Sequence, residues 1–337
     1  VNEIDTNGTA PARSSGRLKV MITGAELVQE ARDILAEADV EAIYAPAYAT
    51  SEDLAKLARE NTVEAILVRQ GQINASVVNA STALKVIAKH GSGVDNIDLL
   101  AATARRVPVL RALAANAQSV AELAIAHTVA LMKDVTVLNA AVKSGEWPKT
   151  KYVGRDLAGA VFAVIGFGEI GQRASALAKG LGMKVIAYDP IASGVADIPV
   201  SRDLDDVVRA ADVVSLHCPL MPQTRHLINE TRLRLMKPTA FLVNTARGAV
   251  VDEAALIVAL REHVIAGAAL DSFEDEPPAK DSPLWTLPNL IASPHVGGAS
   301  RSALRNMAVQ SVNHILGVLG GKGYEQRALA NQDLVQN

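Results

Sequence analysis

Five apolar residues, 161–165, run straight into Gly166, Gly168 and Gly171 in the spacing G-x-G-x-x-G, and this stretch constrains the fold more than any other. A continuous apolar run bounded by a glycine reads as a strand buried on both faces. After the glycines, Ile170, Ala174, Leu177, Ala178 and Leu181 return at steps of three and four, a helical pattern. A second apolar stretch, 184–188, ends on Asp189. Each glycine has a physical job in such a unit. The first allows the tight turn, the second lets a pyrophosphate approach the backbone, and the third lets the helix sit close to the strand. The helix start offers unpaired N–H groups to that pyrophosphate, and Asp189 stands where a carboxylate accepts from two ribose hydroxyls. Three glycines alone are often only a turn. In the order strand, glycines, helix, strand and acid they predict dinucleotide binding, with NAD favoured over NADP because a carboxylate repels a 2′-phosphate.

The same alternation fills much of the chain. Residues 18–23, 65–68 and 84–88 read as strands, with helices at 26–38, 51–60 and 75–80. Such a series builds a parallel sheet with helices on both faces, so the fold class is α/β. The strand at 84 leads into HGSGVDN at 90–96, and loops at the carboxyl ends of parallel strands are where open α/β sheets place ligands. The plainer reading of that loop is a tight turn with a helix cap supplied by Asp95 and Asn96. Pro108 marks a crossover. Residues 117–144 read as one long helix, apolar on more than one face, which must be buried within the domain or against a second copy. Beyond the glycine stretch, strands at 212–217, 240–244, 264–270 and 289–292 lead into polar loops, and a helix at 299–319 closes the pattern.

Composition removes several function classes. The net charge is −3 with no basic run, which argues against nucleic acid or an anionic membrane as partner. No apolar stretch approaches the ~20 residues of a membrane span. The single cysteine, Cys218, excludes a disulfide within the chain and suits a reducing compartment such as the cytoplasm. Aromatic residues make up only 3%, so the core must be mostly Ala, Val, Leu and Ile. Residues 1–17 are polar and lack the apolar centre of a signal peptide; they read as a flexible leader.

Strand ends deliver Asp189, Arg247, Asp271 and His295 to loops along one sheet edge, with Glu276 nearby. Transfer of a hydride to or from a nicotinamide needs a base for the hydroxyl proton, a group to orient that base, and a cation for an anionic substrate. His295 is the natural base, Glu276 can hold its other ring nitrogen, and Arg247 offers a planar fork of donors. Each has a bland reading too: a capping histidine, a solvated carboxylate and a surface ion pair worth under ~1 kcal/mol.

The motifs carry a resemblance. HGSGVDN at 90–96, SVAEL at 119–123, the glycine stretch, CPL at 218–220 running to Leu227, VNTARG at 243–248, ALDSFEDEPP at 269–278 and SPHVGG at 293–298 together resemble the D-isomer-specific 2-hydroxyacid dehydrogenases, and within them the D-3-phosphoglycerate dehydrogenases. The likeness runs from about residue 18 to 319. It implies two doubly wound parallel-sheet domains, a Rossmann cofactor domain (110–298) inserted into a flavodoxin-like substrate domain (18–109 and 299–337). The residues alone suggest two consecutive domains. The resemblance also implies a catalytic set of Arg247, Glu276 and His295. It implies a cofactor set of Gly166, Phe167, Gly168, Glu169, Ile170, Gly171, Asp189, His217, Cys218, Pro219, Thr224, Thr245, Ala246, Asp271, Gly297 and Gly298. Substrate would meet His90, Gly91, Ser92, Gly93 and Val94. Apart from the resemblance, Arg69, Lys89 and His90 stand at the ends of the strands 65–68 and 84–88, near the same crevice, where they could meet a distal charge on the substrate. No metal is expected. A homodimer through 117–155 is, with Lys149 or Lys151 offered to the partner.

Two departures leave the substrate open. The segment 69–73 is one residue shorter than in the phosphoglycerate enzymes, and the chain stops soon after residue 319, so serine feedback through an appended domain is not expected. Alternatives on the same scaffold are hydroxypyruvate or glyoxylate reductase, phosphite dehydrogenase, and a non-enzymatic NAD-sensing binding protein. Formate dehydrogenases pair the histidine with a glutamine, and Glu276 argues against them.

Overall fold

A computed structural model describes residues 17–192 and 197–332; of the polar leader read at 1–17, all but Arg17 lies outside the described residues. Contacts divide the chain into two compact units. One is Val1–His90 with Asn96–Ala112 and Ala308–Asn337; the other is Gly91–Asp95 with Leu113–Met307.

In the first unit, β1 (Leu18–Ile22), β2 (Val40–Tyr44), β3 (Ala65–Val68), β4 (Val86–Lys89) and β5 (Val109–Arg111) form one parallel sheet in the order β2-β1-β3-β4-β5. This is the flavodoxin-like order. The four residues of β3 are all fully buried, as expected for a strand covered by helices on both faces. The helix Ser51–Asn61 begins where the Thr50 hydroxyl accepts the Asp53 N–H and the Asp53 carboxylate accepts the Thr50 N–H, a reciprocal cap. The outer edge of β5 is closed by distant chain: Leu110 bridges Leu329 antiparallel, and the Val109 N–H donates to Asn331 Oδ1 at 2.9 Å.

The second unit holds β6 (Val161–Ile165), β7 (Lys184–Tyr188), β8 (Val200–Ser201), β9 (Val213–Leu216), β10 (Phe241–Asn244), β11 (Gly267–Leu270) and β12 (Leu290–Ala292). All are parallel, in the order β12-β11-β10-β9-β6-β7-β8, a Rossmann sheet with one added strand. The strand β6 splits its side chains between two cores. Phe162 and Val164 pack with Ala121 and Ala124 of the helix Ala117–Met132 and with Ala174 and Ala178 of the helix Glu169–Gly180, while Ala163 and Ile165 face a second cluster containing Val207, Val208, Leu242 and Leu256. Alanine on both facing helices lets them approach closely, which is how a core so poor in aromatics fills its space.

Three expectations need correction. The helix read at 117–144 is two, Ala117–Met132 and Val135–Lys143, because Asp134 takes a left-handed conformation with φ 48°. Asp is among the few side chains that tolerate that region. Nothing in the second helix is buried, so the apolar character read as one interior helix covers an interior helix and an exposed one. The cap after the loop at 90–96 comes from Asp98, which accepts the Ala101 N–H; Asp95 instead meets Arg247, and Asn96 meets Lys89 and the Gly71 oxygen. Finally, β2, β5 and β8 have no counterpart among the predicted strands, being short strands of mixed exposure at or near sheet edges.

Candidate active site

The residues that gather at the site belong to the second unit. At the split between β7 and β9 on either side of β6, Gly166 has φ +97°, and a Cβ there would meet Cys218 N at 2.7 Å and the His217 carbonyl carbon at 2.8 Å. The chain can therefore turn only as glycine, hard against the segment leaving β9. Gly171 is equally confined, with the Gly166 oxygen 2.2 Å from an added Cβ, whereas a Cβ on Gly168 would meet nothing within 4 Å. The first and third glycines thus bring helix and strand together, and the second faces open space where a ligand can reach the backbone. Gly168 caps the helix without a side-chain hydrogen bond, so the first N–H groups stay available to an anion.

Asp189 ends β7 with its carboxylate accepting from Phe167 N–H at 2.8 Å and from Ile191 and Ala192 N–H, both at 2.8 Å. Partial burial raises its pKa, but those three donors and the Arg202 charge outweigh it and hold the group below the usual carboxylate range. Two orphaned polar atoms lie just past strand ends on this sheet edge: His217 Nδ1, after β9 and beside the turn, and Thr245 Oγ1, after β10, are buried without a partner. His217 Nε2 pairs with Ser215 Oγ at 2.9 Å, and burial pushes its pKa down to about 4. Burial likewise pushes the Cys218 thiol up to about 11, so it is no nucleophile. Pro219 O takes the Thr224 hydroxyl at 2.6 Å, closing the loop after β9 on itself. An open glycine, an uncapped helix start, a fixed acid and unpartnered atoms fit a dinucleotide.

The catalytic candidates sit on three loops. After β10, the fully buried Asn244 shapes the turn: its Oδ1 accepts the Ala246 N–H at 3.0 Å and its Nδ2 donates to the Arg247 oxygen at 2.9 Å. Arg247 then reaches out, Nη1 donating to the Ala246 oxygen at 2.8 Å and Nε to Asp95 Oδ1 at 2.9 Å. Its Nη2 lies 1.6 Å from where a Cβ on Gly93 would stand, so the guanidinium rests against the backbone of the 91–95 loop. Gly248 is wedged against the Phe273–Glu274 peptide, which ties the arginine loop to the loop carrying Glu276.

Glu276 Oε1 accepts the Phe273 N–H at 3.1 Å, and Oε2 pairs with His295 Nδ1 at 2.7 Å. Burial raises the Glu276 pKa; the His295 hydrogen bond and charge, the Phe273 N–H and the Arg247 charge more than reverse it, so the carboxyl stays ionised. A carboxylate only accepts, so His295 carries its proton on Nδ1 and presents Nε2 outward. His295 has φ 53°, and the pair is half-exposed, open to a substrate. Asp271, ending β11, is buried and receives Ser293 Oγ–H at 2.6 Å, Val296 N–H at 2.9 Å and Gly297 N–H at 2.8 Å. Gly298 packs against the Asn116 side chain.

The remaining candidates fall elsewhere or play other parts. Arg69 and His90 belong to the first unit, where Arg69 Nη1 donates to the Ala25 oxygen and to the Glu26 oxygen at 2.8 Å. Lys89 Nζ donates to Asn96 Oδ1 at 2.7 Å. Gly248, Asn244, Ser293 and His127 shape the site without being named as site residues; Asn244 and Gly248 lie within VNTARG and Ser293 opens SPHVGG, whereas His127 leaves no readable signal.

Comparison with known proteins agrees with this geometry. Residues 125–297 match the family model "D-isomer specific 2-hydroxyacid dehydrogenase, NAD binding domain". The chain is 40% identical over 278 residues to the D-3-phosphoglycerate dehydrogenase of Methanocaldococcus jannaschii, covering 81% of this chain and 52% of that one. It is 38% identical over 273 residues to the hydroxypyruvate reductase of Thermotoga maritima, covering 80% and 88%. It thus spans about half the length of the phosphoglycerate relative and most of the hydroxypyruvate reductase. The crystal structure of a Thermus thermophilus protein superposes with a TM-score of 0.84 at 34% identity, covering 91% of this chain and 98% of that one. Taken with the glycine turn and the three catalytic loops, these likenesses place the chain in the D-isomer-specific 2-hydroxyacid dehydrogenase family.

Proposed function

We propose that the chain is an NAD-dependent oxidoreductase that interconverts a small D-2-hydroxy acid and its 2-oxo acid. The observation that carries this reading is the Glu276–His295 pair at 2.7 Å, which leaves a basic ring nitrogen exposed beside the cofactor crevice. The glycine turn, Asp189, Thr245, Ala246 and the loops at 217–219 and 297–298 hold the dinucleotide, whose nicotinamide supplies or accepts the hydride. The backbone N–H groups of Ser92 and Gly93, with Arg247 beside them, hold the substrate carboxylate. In reduction His295 Nε2 gives a proton to the carbonyl oxygen; in oxidation it takes the hydroxyl proton. Glu276 keeps the tautomer and stabilises the imidazolium.

We assign residues 18–109 and 299–337 to the substrate domain and 110–298 to the cofactor domain; at the edges of this division, 91–95 and 299–307 pack with the second unit and 110–112 with the first. Arg69, anchored at its strand end, is the residue for a second anionic group, so 3-phosphohydroxypyruvate competes with hydroxypyruvate and glyoxylate as substrate. The chain works as a homodimer through 117–155, where Val135, Val137, Val142, Trp147 and Val153 are exposed. No helix among the described residues is long and apolar enough to cross a membrane. One buried free cysteine suits a reducing compartment, which supports a cytoplasmic location.

The test is a panel of 2-oxo acids with NADH, alongside oxidation of phosphite and 3-phosphoglycerate. Reduction of at least one 2-oxo acid, lost in His295→Gln with NADH binding kept, supports the reading. No turnover of any acid, with NADH bound, favours the NAD-sensing alternative and overturns it.

A further inference from the structure

His127 takes no part in the chemistry above, yet it is a polar side chain only 6% exposed on the interior helix Ala117–Met132. Its Nε2 lies 3.1 Å from Ser293 Oγ, and Ser293 Oγ lies 2.6 Å from Asp271 Oδ1. Asp271, 2% exposed, then accepts the N–H groups of Val296 and Gly297, the two residues that follow His295.

The proton count along this line has one good solution. Ser293 has a single hydroxyl hydrogen. A carboxylate cannot donate, so at 2.6 Å that hydrogen must point to Asp271. Ser293 Oγ then has only lone pairs for His127, which must carry its proton on Nε2. The opposite tautomer would turn the hydroxyl to the imidazole and leave two oxygens facing each other without a hydrogen. Burial lowers the His127 pKa against the pull of Asp271, which keeps the ring neutral.

We propose that His127 is a positioning residue for the hydroxyacid chemistry: through the Ser293 hydroxyl it orients the buried Asp271 carboxylate that holds the backbone on the far side of His295. The 293–297 loop is then fixed at Ser293 and at Val296–Gly297, and His295 between them is held in its left-handed conformation facing Glu276. Without the imidazole the serine hydroxyl loses its donor, rotates more freely, and the carboxylate loses a defined contact. This rests on His295 being the acid–base group.

The test uses the full chain and whichever 2-oxo acid the wild type reduces. His127→Leu removes the donor; His127→Gln restores an N–H near Nε2; Ser293→Ala breaks the line one atom further on. We expect His127→Leu and Ser293→Ala each to lower kcat about tenfold with the KM for NADH changed less than about threefold, and His127→Gln to recover most of kcat. The double variant should be no worse than Ser293→Ala alone, since two links of one chain are not additive. NMR of labelled histidine in the resting protein should show His127 neutral with its proton on Nε2, a readout free of activity. Near-normal kcat in both single variants, His127→Gln as impaired as His127→Leu, additive losses, or a proton on Nδ1 would each overturn the proposal. Should His127→Leu not fold, Ser293→Ala, His127→Gln and the tautomer decide it. A wild type inactive on every acid sinks the functional reading while leaving the tautomer to judge the hydrogen-bonded line.

Discussion

Gly248→Ala is the smallest perturbation that should separate the arginine loop from the glutamate loop. A Cβ at this position would stand 1.8 Å from the Phe273 carbonyl carbon, 2.0 Å from its oxygen and 2.3 Å from the Glu274 nitrogen, all backbone atoms, where ordinary contact begins at 3.4 Å. No side chain can rotate aside, so one loop must move by more than an ångström. The Phe273 N–H donates to Glu276, so a shifted peptide carries the carboxylate away from His295. Overpacking of this kind costs about 2 kcal/mol, which for a unit of about 200 residues, the size of the one that holds Gly248, lowers its Tm by about 4–8 °C. A displacement near 1 Å at a catalytic constellation costs about a hundredfold in rate. The assay is steady-state reduction of the preferred 2-oxo acid with NADH, beside a thermal melt. Gly180→Ala, at the last position of its helix, is the control, since a Cβ there meets nothing within 4 Å; it should leave kcat unchanged and Tm no lower. A Gly248→Ala protein with kcat within threefold of wild type and an unmoved Tm would refute the argument that this contact couples the two loops.

Other consequences follow from the same geometry. Arg247→Lys should lower kcat/KM at least about tenfold, because an ammonium cannot hold Asp95 and a carboxylate together as the planar fork does; near-normal kinetics would remove Arg247 from the site. NADH should be preferred to NADPH by at least about tenfold, about 1.4 kcal/mol of differential binding, and Asp189→Ser should narrow that ratio; equal use of both cofactors by the wild type contradicts the role given to Asp189. Glu276 is held below its ordinary pKa, so its contribution to stability is complete above the unfolded carboxylate value and is lost as pH falls through the folded one. Melting temperatures should therefore drop more steeply for wild type than for Glu276→Gln as the pH falls below the ordinary glutamate range, and parallel curves would show that the pairing adds nothing. Light scattering at micromolar concentration should give a dimer's mass; a monomer contradicts the interface through 117–155.

Local patterns in the chain are legible wherever one stretch of sequence performs a complete physical task. The glycine turn is such a stretch: strand, turn, helix start and acid lie within 29 residues, and the positions of Gly166, Gly168 and Gly171 follow from backbone geometry alone. Groups at strand ends are legible for a related reason, since parallel strands deliver their loops to one edge whatever the order. What stays hidden depends on partners far apart in sequence. His127 meets Ser293 across 166 residues, and nothing in the apolar helix around it announces that contact. Asp95 looks like a cap because Asp before a helix usually is one; its partner, Arg247, lies 152 residues away. The break at Asp134 is invisible because apolar residues resume on both sides of it, and periodicity does not register a single left-handed residue.

The edge of β5 has a consequence for the order in which the polypeptide can mature as it leaves the ribosome. The Val109 N–H waits for Asn331, 222 residues downstream, and Leu110 for Leu329, whereas every strand of the seven-stranded sheet lies between residues 161 and 292. Synthesis at about 5–20 residues per second makes the first-translated sheet the last to be sealed. The unit begun first thus spends the longest time with an unpaired strand edge, which is the form of exposed surface that invites mispairing.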